Sequence, residues 1–201
     1  MIIAIDGSAA SGKGTLAKRV AAEFGYDYLD TGALYRAVAL SLLKAGVNSS
    51  NIDEKQAINA ASTLDLSLTQ TTEIRTDKVA VLASVVAAIG AVRAELLALQ
   101  RSFAAAPPSG KGAVLDGRDI GTIVLPDADI KFFIDADLDI RAERRTKQLL
   151  QTGQSVMFCD VLADMKARDD RDRTRSVAPL KAADDAITID TSRMDASAVL
   201  A

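Results

Sequence analysis

A short apolar run, Ile2-Ile3-Ala4-Ile5, followed by Gly7-Ser8-Ala9-Ala10-Ser11-Gly12-Lys13-Gly14-Thr15, constrains this chain more than any other stretch. The apolar run reads as a buried strand, and Leu16, Ala17, Val20 and Ala21 repeat beyond Lys13 with helical spacing. A strand, a glycine-bounded loop, a lysine and a helix in that order make a phosphate-binding loop. Gly7 and Gly12 let the backbone curl until its N–H groups converge, Lys13 adds a mobile positive charge, and the helix start adds its dipole. One departure from the usual pattern is that Gly14 separates Lys13 from Thr15, which displaces the hydroxyl by one residue.

Composition narrows what such a loop can serve. With 201 residues, 49% of them apolar, the chain fits a single domain with a small insertion. It has no histidine, which removes the commonest general base and with it Ser-His hydrolysis. Phosphoryl transfer survives that loss, because it depends on positioning and charge neutralisation. A net charge of −3 argues against nucleic acid as a partner. The single Cys159 excludes an internal disulfide and suits a reducing, cytoplasmic setting. No apolar run approaches a membrane span, and with a strand at the start no targeting leader is expected.

Short apolar strands alternate with helical patterns along the rest of the chain. Further strands are expected at residues 26–30, 113–115, 131–134 and 186–189, and helices at 31–45, 53–62, 76–88, 91–103, 138–150 and 159–173. Gly90 is expected to break the third and fourth of these helices, and the last residues to begin another. Leu64-Asp65-Leu66-Ser67-Leu68 alternates with period two, which predicts a short strand turning near Gln70–Thr72 to pair with Ile74. The pattern is that of an α/β protein, a five-stranded parallel sheet with helices on both faces. Ligands in such folds sit beyond the carboxyl ends of the strands.

The charged groups that carry chemistry are concentrated. Arg141, Arg144 and Arg145 lie at i, i+3 and i+4, so at least two share a helix face, and Arg168, Asp172 and Arg175 form one stripe within Arg168-Asp169-Asp170-Arg171-Asp172-Arg173-Thr174-Arg175. Beside a phosphate loop, planar Arg forks suit a second phosphate. Asp116 closes a buried strand, where a carboxylate near Mg²⁺ or its waters is expected, and Asp6 is a rival for that place.

These segments together resemble the cytidylate kinases, bacterial-type nucleoside monophosphate kinases that use CMP and dCMP. The matching stretches are Asp6 to Thr15, Leu29 to Arg36, Ile74-Arg75, Ala83-Ser84 through Val92-Arg93, and Gln100-Arg101. They continue with Asp116-Gly117-Arg118-Asp119-Ile120-Gly121-Thr122, Arg168 to Arg173, and Val177-Ala178-Pro179-Leu180. The resemblance implies a P-loop kinase fold with a core at residues 1–30 and 113–201. It also implies a monophosphate-binding region at about 31–112, holding a shortened β element at about 64–75, and a short lid at about 145–160. It implies ATP with Mg²⁺ at Gly7, Ser8, Ala9, Ala10, Ser11, Gly12, Lys13, Gly14 and Thr15. Cytosine would be held by Ser84, Arg93 and Asp119, the sugar by Arg168 and Asp172, and the acceptor phosphate by Arg36, Arg118 and Arg175 with Thr31 nearby. Lys13, Arg118, Arg175 and Arg144 would act on the transferring phosphoryl group. A cytoplasmic monomer acting on small nucleotides, with neither membrane nor nucleic acid as a partner, is expected.

The chain departs from the family pattern at Ser8 and Gly90, where Pro is common, and in its short insertion and early end. Two other readings compete. A kinase preferring UMP or AMP is disfavoured by the Ser84, Arg93 and Asp119 set. A nucleotide-dependent switch or regulatory ATPase would need no arginines for a second phosphate, and a GTP switch would carry an Asn-Lys-x-Asp motif, absent here.

Overall fold

The computed structural model describes residues 1–194. The expected terminal helix falls in residues 195–201, outside the described part. Five strands, β1 (Ile2–Gly7), β2 (Asp27–Asp30), β3 (Ala113–Gly117), β4 (Ile130–Asp135) and β5 (Ile187–Asp190), form one sheet in the order β2-β3-β1-β4-β5. The central strand β1 runs parallel to both neighbours, with Asp6 beside Gly117 on one side and Phe133 on the other. β4 and β5 are also parallel. β1 is buried on both faces: Ile3 and Ile5 pack with Leu16, Ala17 and Ala21 of the helix that follows, and Ala4 between them is fully buried too. Its continuous apolar run is what a covered parallel strand requires.

The chain divides into two compact units, Met1–Leu29 with Pro107–Ala201, and Asp30–Ala106. Compared with the expected core and monophosphate-binding region, the second unit starts one residue earlier and ends six residues earlier. The first unit contains the sheet, save the last residue of β2, and the helices α1 (Lys13–Phe24), α6 (Leu138–Gln151) and α7 (Phe158–Thr174). Ala142, Leu149, Val161 and Met165 join α6 to α7, and Ala9 and Ala10 of the phosphate loop pack against that cluster. Residues 145–160, expected as a lid, comprise the end of α6, a connection and the start of α7.

The second unit has its own core, built from α2 (Thr31–Lys44), α3 (Glu54–Ser62), α4 (Asp77–Val86) and α5 (Gly90–Ala105) around Leu34, Val38, Ile74, Leu82 and Leu96. Asp30 caps α2 by accepting from Ala33 N at 3.0 Å, and Asp53 with Gln56 forms a capping box on α3. Gly90 opens α5 rather than lying between two helices.

The expected strand at residues 64–68 is not formed. Two 3₁₀ turns, Leu66–Gln70 and Thr72–Arg75, stand in its place. The side chain of Asp65 accepts from Ser67 N at 2.9 Å and starts the first turn. Leu64 and Leu68 pack on the core while Leu66 is 48% exposed, so the apolar contacts recur at i and i+4, not at every second residue. Among the described residues no single helix is long and apolar enough to cross a membrane.

Candidate functional site

The loop between β1 and α1 has the shape its glycines require. Gly12 has φ 94° and Ala10 φ 59°, both left-handed, and Gly12 caps α1 without any side-chain bond. The first turn of a twelve-residue helix therefore presents N–H groups that no capping side chain covers. At the loop's start, a Cβ on Gly7 would lie 1.9 Å from the Ile134 carbonyl oxygen, so only glycine fits between β1 and β4. Ser8 and Ser11 are fully buried, and their Oγ atoms have no hydrogen-bond partner. A buried hydroxyl left unpaired costs about 1–3 kcal/mol, the kind of deficit a site tuned for a ligand carries.

Asp6 and Asp116 part company here. Asp6 accepts from two successive backbone donors, Ile120 N on Oδ1 and Gly121 N on Oδ2, both at 2.8 Å. Burial pushes its pKa up to about 6, against the pull of those two N–H groups, while the Asp119 charge adds to the rise and Lys13 opposes it. Its two oxygens are committed to holding the π-helical turn Ile120–Val124. Asp116 instead stands at the start of α1, where its Oδ2 lies 3.2 Å from the place a Cβ on Gly14 would take, and it accepts from Tyr28 Oη at 2.6 Å. A side chain at position 14 would therefore press on the Asp116 carboxylate.

The Asp-Gly-Arg-Asp segment leaves β3 beside the phosphate loop. Arg118 donates through Nη1 to the Gly7 carbonyl at 2.7 Å and through Nε to Asp172 Oδ2 at 3.0 Å. Arg168 reaches the same carboxylate oxygen at 3.9 Å from one helical turn away, and Arg175 faces Asp119 at 3.7 Å. Burial alone would raise the pKa of Asp172, but Arg118, Arg168 and Arg175 outweigh it and hold the carboxyl below its ordinary range. Five expected residues, Arg118, Asp119, Arg168, Asp172 and Arg175, thus gather in the first unit. Ala178, whose carbonyl accepts from Arg175 Nε, has φ 52°, an uncommon conformation for a residue with a side chain.

Arg144 is held differently. Its guanidinium donates to Thr191 Oγ1 at 3.2 Å, to the Thr191 carbonyl at 2.6 Å and to the Met194 carbonyl at 3.2 Å, so it braces the turn after β5. Arg141, one turn earlier, touches the phosphate loop at the Ala9 carbonyl. Sequence reasoning assigned no role to Arg141 alone, to Thr191 or to Tyr28; the polar residue directly after a strand was the one available signal for Thr191.

In the second unit, Thr31 is the buried first residue of α2, and Arg36 donates to the Ile74 carbonyl at 3.0 Å. Arg93 is buried, stacks its guanidinium 5.4 Å from the Tyr35 ring centre and donates to the Ala87 carbonyl at 3.2 Å. Ser84 lies buried on α4.

Sheet order, phosphate loop and arginine cluster together define a P-loop kinase. A family model described as cytidylate kinase matches residues 3–201. A cytidylate kinase from Paramagnetospirillum magneticum is 54% identical over 200 residues, spanning 100% of this chain and 94% of that protein. One from Rhodospirillum rubrum is 52% identical over 201 residues, spanning 100% and 93%. Among solved structures, an uncharacterised protein from Eubacterium ventriosum shares the fold with TM-score 0.52 at 18% identity, covering 100% of this chain and 93% of that one. This chain belongs to the cytidylate kinase family.

Proposed function

We propose that this chain transfers the γ-phosphoryl group of ATP to CMP or dCMP, giving CDP or dCDP and ADP. The observation that carries the reading is Arg118, which joins the carbonyl of Gly7 in the phosphate loop to Asp172 in the arginine-rich helix. A single side chain thereby ties the donor loop to the cluster that suits a second phosphate.

An oxygen of the CMP phosphate attacks the γ-phosphorus in line as the bond to the β,γ-bridging oxygen breaks, and that oxygen's electron pair leaves with ADP. The attacking phosphate is already anionic, so no general base is needed, in keeping with a chain that has no histidine. Lys13 and the arginines Arg118 and Arg175 neutralise charge on the equatorial oxygens. Arg36 and Thr31 are read as further contacts to the acceptor phosphate, and Arg168 and Asp172 as contacts to the sugar. Ser84, Arg93 and Asp119 are read as base contacts: cytosine offers an N4 amino donor to a carboxylate and N3 and O2 acceptors to an arginine. Uracil would set its O4 acceptor against Asp119, an unpaired arrangement worth roughly ten- to a hundredfold in selectivity.

Magnesium suits the donor set. Magnesium is held mainly by phosphates and water, with one or two protein oxygens. Asp116 and the hydroxyl of Thr15 are the groups at the start of α1 that would hold it. When bound it neutralises the β- and γ-phosphate oxygens. We read the enzyme as a cytoplasmic monomer; a reducing compartment suits its one free, exposed thiol, Cys159.

A coupled assay of ADP formation with CMP, dCMP, UMP and AMP tests the reading. Turnover strongly dependent on CMP or dCMP supports it, and ATP hydrolysis indifferent to all four monophosphates overturns it.

A further inference from the structure

Three alternate carbonyls of the phosphate loop accept hydrogen bonds from side chains on three different elements. Gly7 O accepts from Arg118 Nη1 at 2.7 Å, Ala9 O from Arg141 Nη1 at 3.2 Å, and Ser11 O from Thr191 Oγ1 at 2.8 Å. A trans peptide sets its carbonyl and the following N–H on opposite sides of the chain. Fixing the carbonyls of residues 7, 9 and 11 therefore fixes the direction of the N–H groups of Ser8, Ala10 and Gly12. We infer that Thr191 and Arg141 are positioning residues for the donor nucleotide, holding the loop by its carbonyls so that its N–H groups already point at the triphosphate.

The bond from Thr191 is specified atom by atom. Its side chain is 1% exposed and its hydroxyl has one proton. The Asp135 carbonyl, the other acceptor within reach, already takes the backbone N–H of Thr191 at 2.8 Å. Ser11 O at 2.8 Å is the nearer acceptor for that proton, against 3.2 Å for Asp135 O, and Arg144 donates to the same hydroxyl oxygen and holds it in place. Arg144 thus acts on the loop through Thr191. Arg141 is equally determined: Nη2 pairs with Asp169 Oδ2 at 2.6 Å and Nε donates to the Ala136 carbonyl at 2.8 Å, which leaves Nη1 for Ala9. Preorganised donors need no rearrangement when charge arrives, so the loss of a brace falls on ATP and not on the acceptor.

The inference rests on the loop being the ATP site. Thr191→Val removes the hydroxyl at nearly constant volume, and Thr191→Ser restores it. In steady-state kinetics of the full chain, Thr191→Val raises the KM for ATP by about three- to tenfold, the worth of one hydrogen bond. The KM for CMP stays within about twofold, and Thr191→Ser returns both near wild type. If the Val variant fails to fold, Arg141→Lys, which retains the charge facing Asp169, carries the same comparison. Equal ATP KM values for wild type and variants, or ATP and CMP constants rising together, overturn the inference. Failure of the donor-site reading shows instead in the wild type, as turnover that does not saturate with ATP.

Discussion

Replacing Asp6 with Asn tests the clamp beneath the Asp-Gly-Arg-Asp segment. The Asp6 carboxyl is 4% exposed and its pKa is pushed by burial from 3.8 to about 6. Between those values the folded state holds a proton that the unfolded state has released, so stability falls as pH rises from 4 to 6 and is level above. A shift of about two units corresponds to roughly 3 kcal/mol. Asn keeps one acceptor but turns an amino group toward one of the two N–H groups, a cost of about 1–3 kcal/mol that does not vary with pH. Asp172 works in the opposite sense, since its lowered pKa contributes stability that is lost as pH falls through and below the ordinary carboxylate range. Asp172 is present in both proteins and cancels in the comparison. Urea unfolding of wild type and Asp6→Asn at pH 4, 5, 6 and 7 should show the wild type losing roughly 2–3 kcal/mol relative to the variant as pH rises, most of it between pH 4 and 6. Parallel stability profiles would refute the reasoning.

Lys13→Ala should lower kcat by about a hundredfold or more while the KM for CMP changes little, because the lysine serves charge on the transferring group; a variant impaired mainly in CMP KM would contradict this. Asp119→Asn should relax the preference for CMP over UMP by about ten- to a hundredfold, and unchanged selectivity in the coupled assay rejects its base-reading role. Ala178→Gly should raise the melting temperature by a few degrees in calorimetry, because Ala178 has φ 52° and a left-handed residue with a side chain costs about 1 kcal/mol. A lower melting temperature would show that the methyl's packing outweighs the strain.

Much of the fold was legible because it is written in local periodicity. The strands at Ile2–Gly7 and Ala113–Gly117 are short apolar runs ending in Asp-Gly, and glycine or capping signals set the ends of α1 and α2 within a residue or two. The stretch at Leu64–Leu68 misled because five residues cannot separate period two from a turn that half-buries Leu64 and Leu68 and exposes Leu66. Asp65, a good turn starter, was the overlooked sign. Ile120–Val124, rich in β-branched residues, becomes a π-helical turn because a carboxylate more than a hundred positions earlier binds its first two N–H groups. No local signal carries that. In the site, the phosphate loop and the arginine stripe were readable from residue type and spacing. The separation of Asp6 from Asp116, and the bracing of the loop by Arg141 and Thr191, depend on which strand ends become neighbours, which follows from sheet order and not from any one segment.

That sheet order also bears on how the protein is made. β1, which leads into the phosphate loop, leaves the ribosome well before its partners, which begin at Ala113 and Ile130. At roughly 5–20 residues per second, an apolar strand waits about 5–20 s for its first neighbour. The continuous Asp30–Ala106 unit, with a core of its own, emerges complete in the meantime. A nascent chain stalled before β3 would therefore present a folded helical unit tethered to a bare hydrophobic strand, a form suited to capture by a chaperone and to aggregation without one.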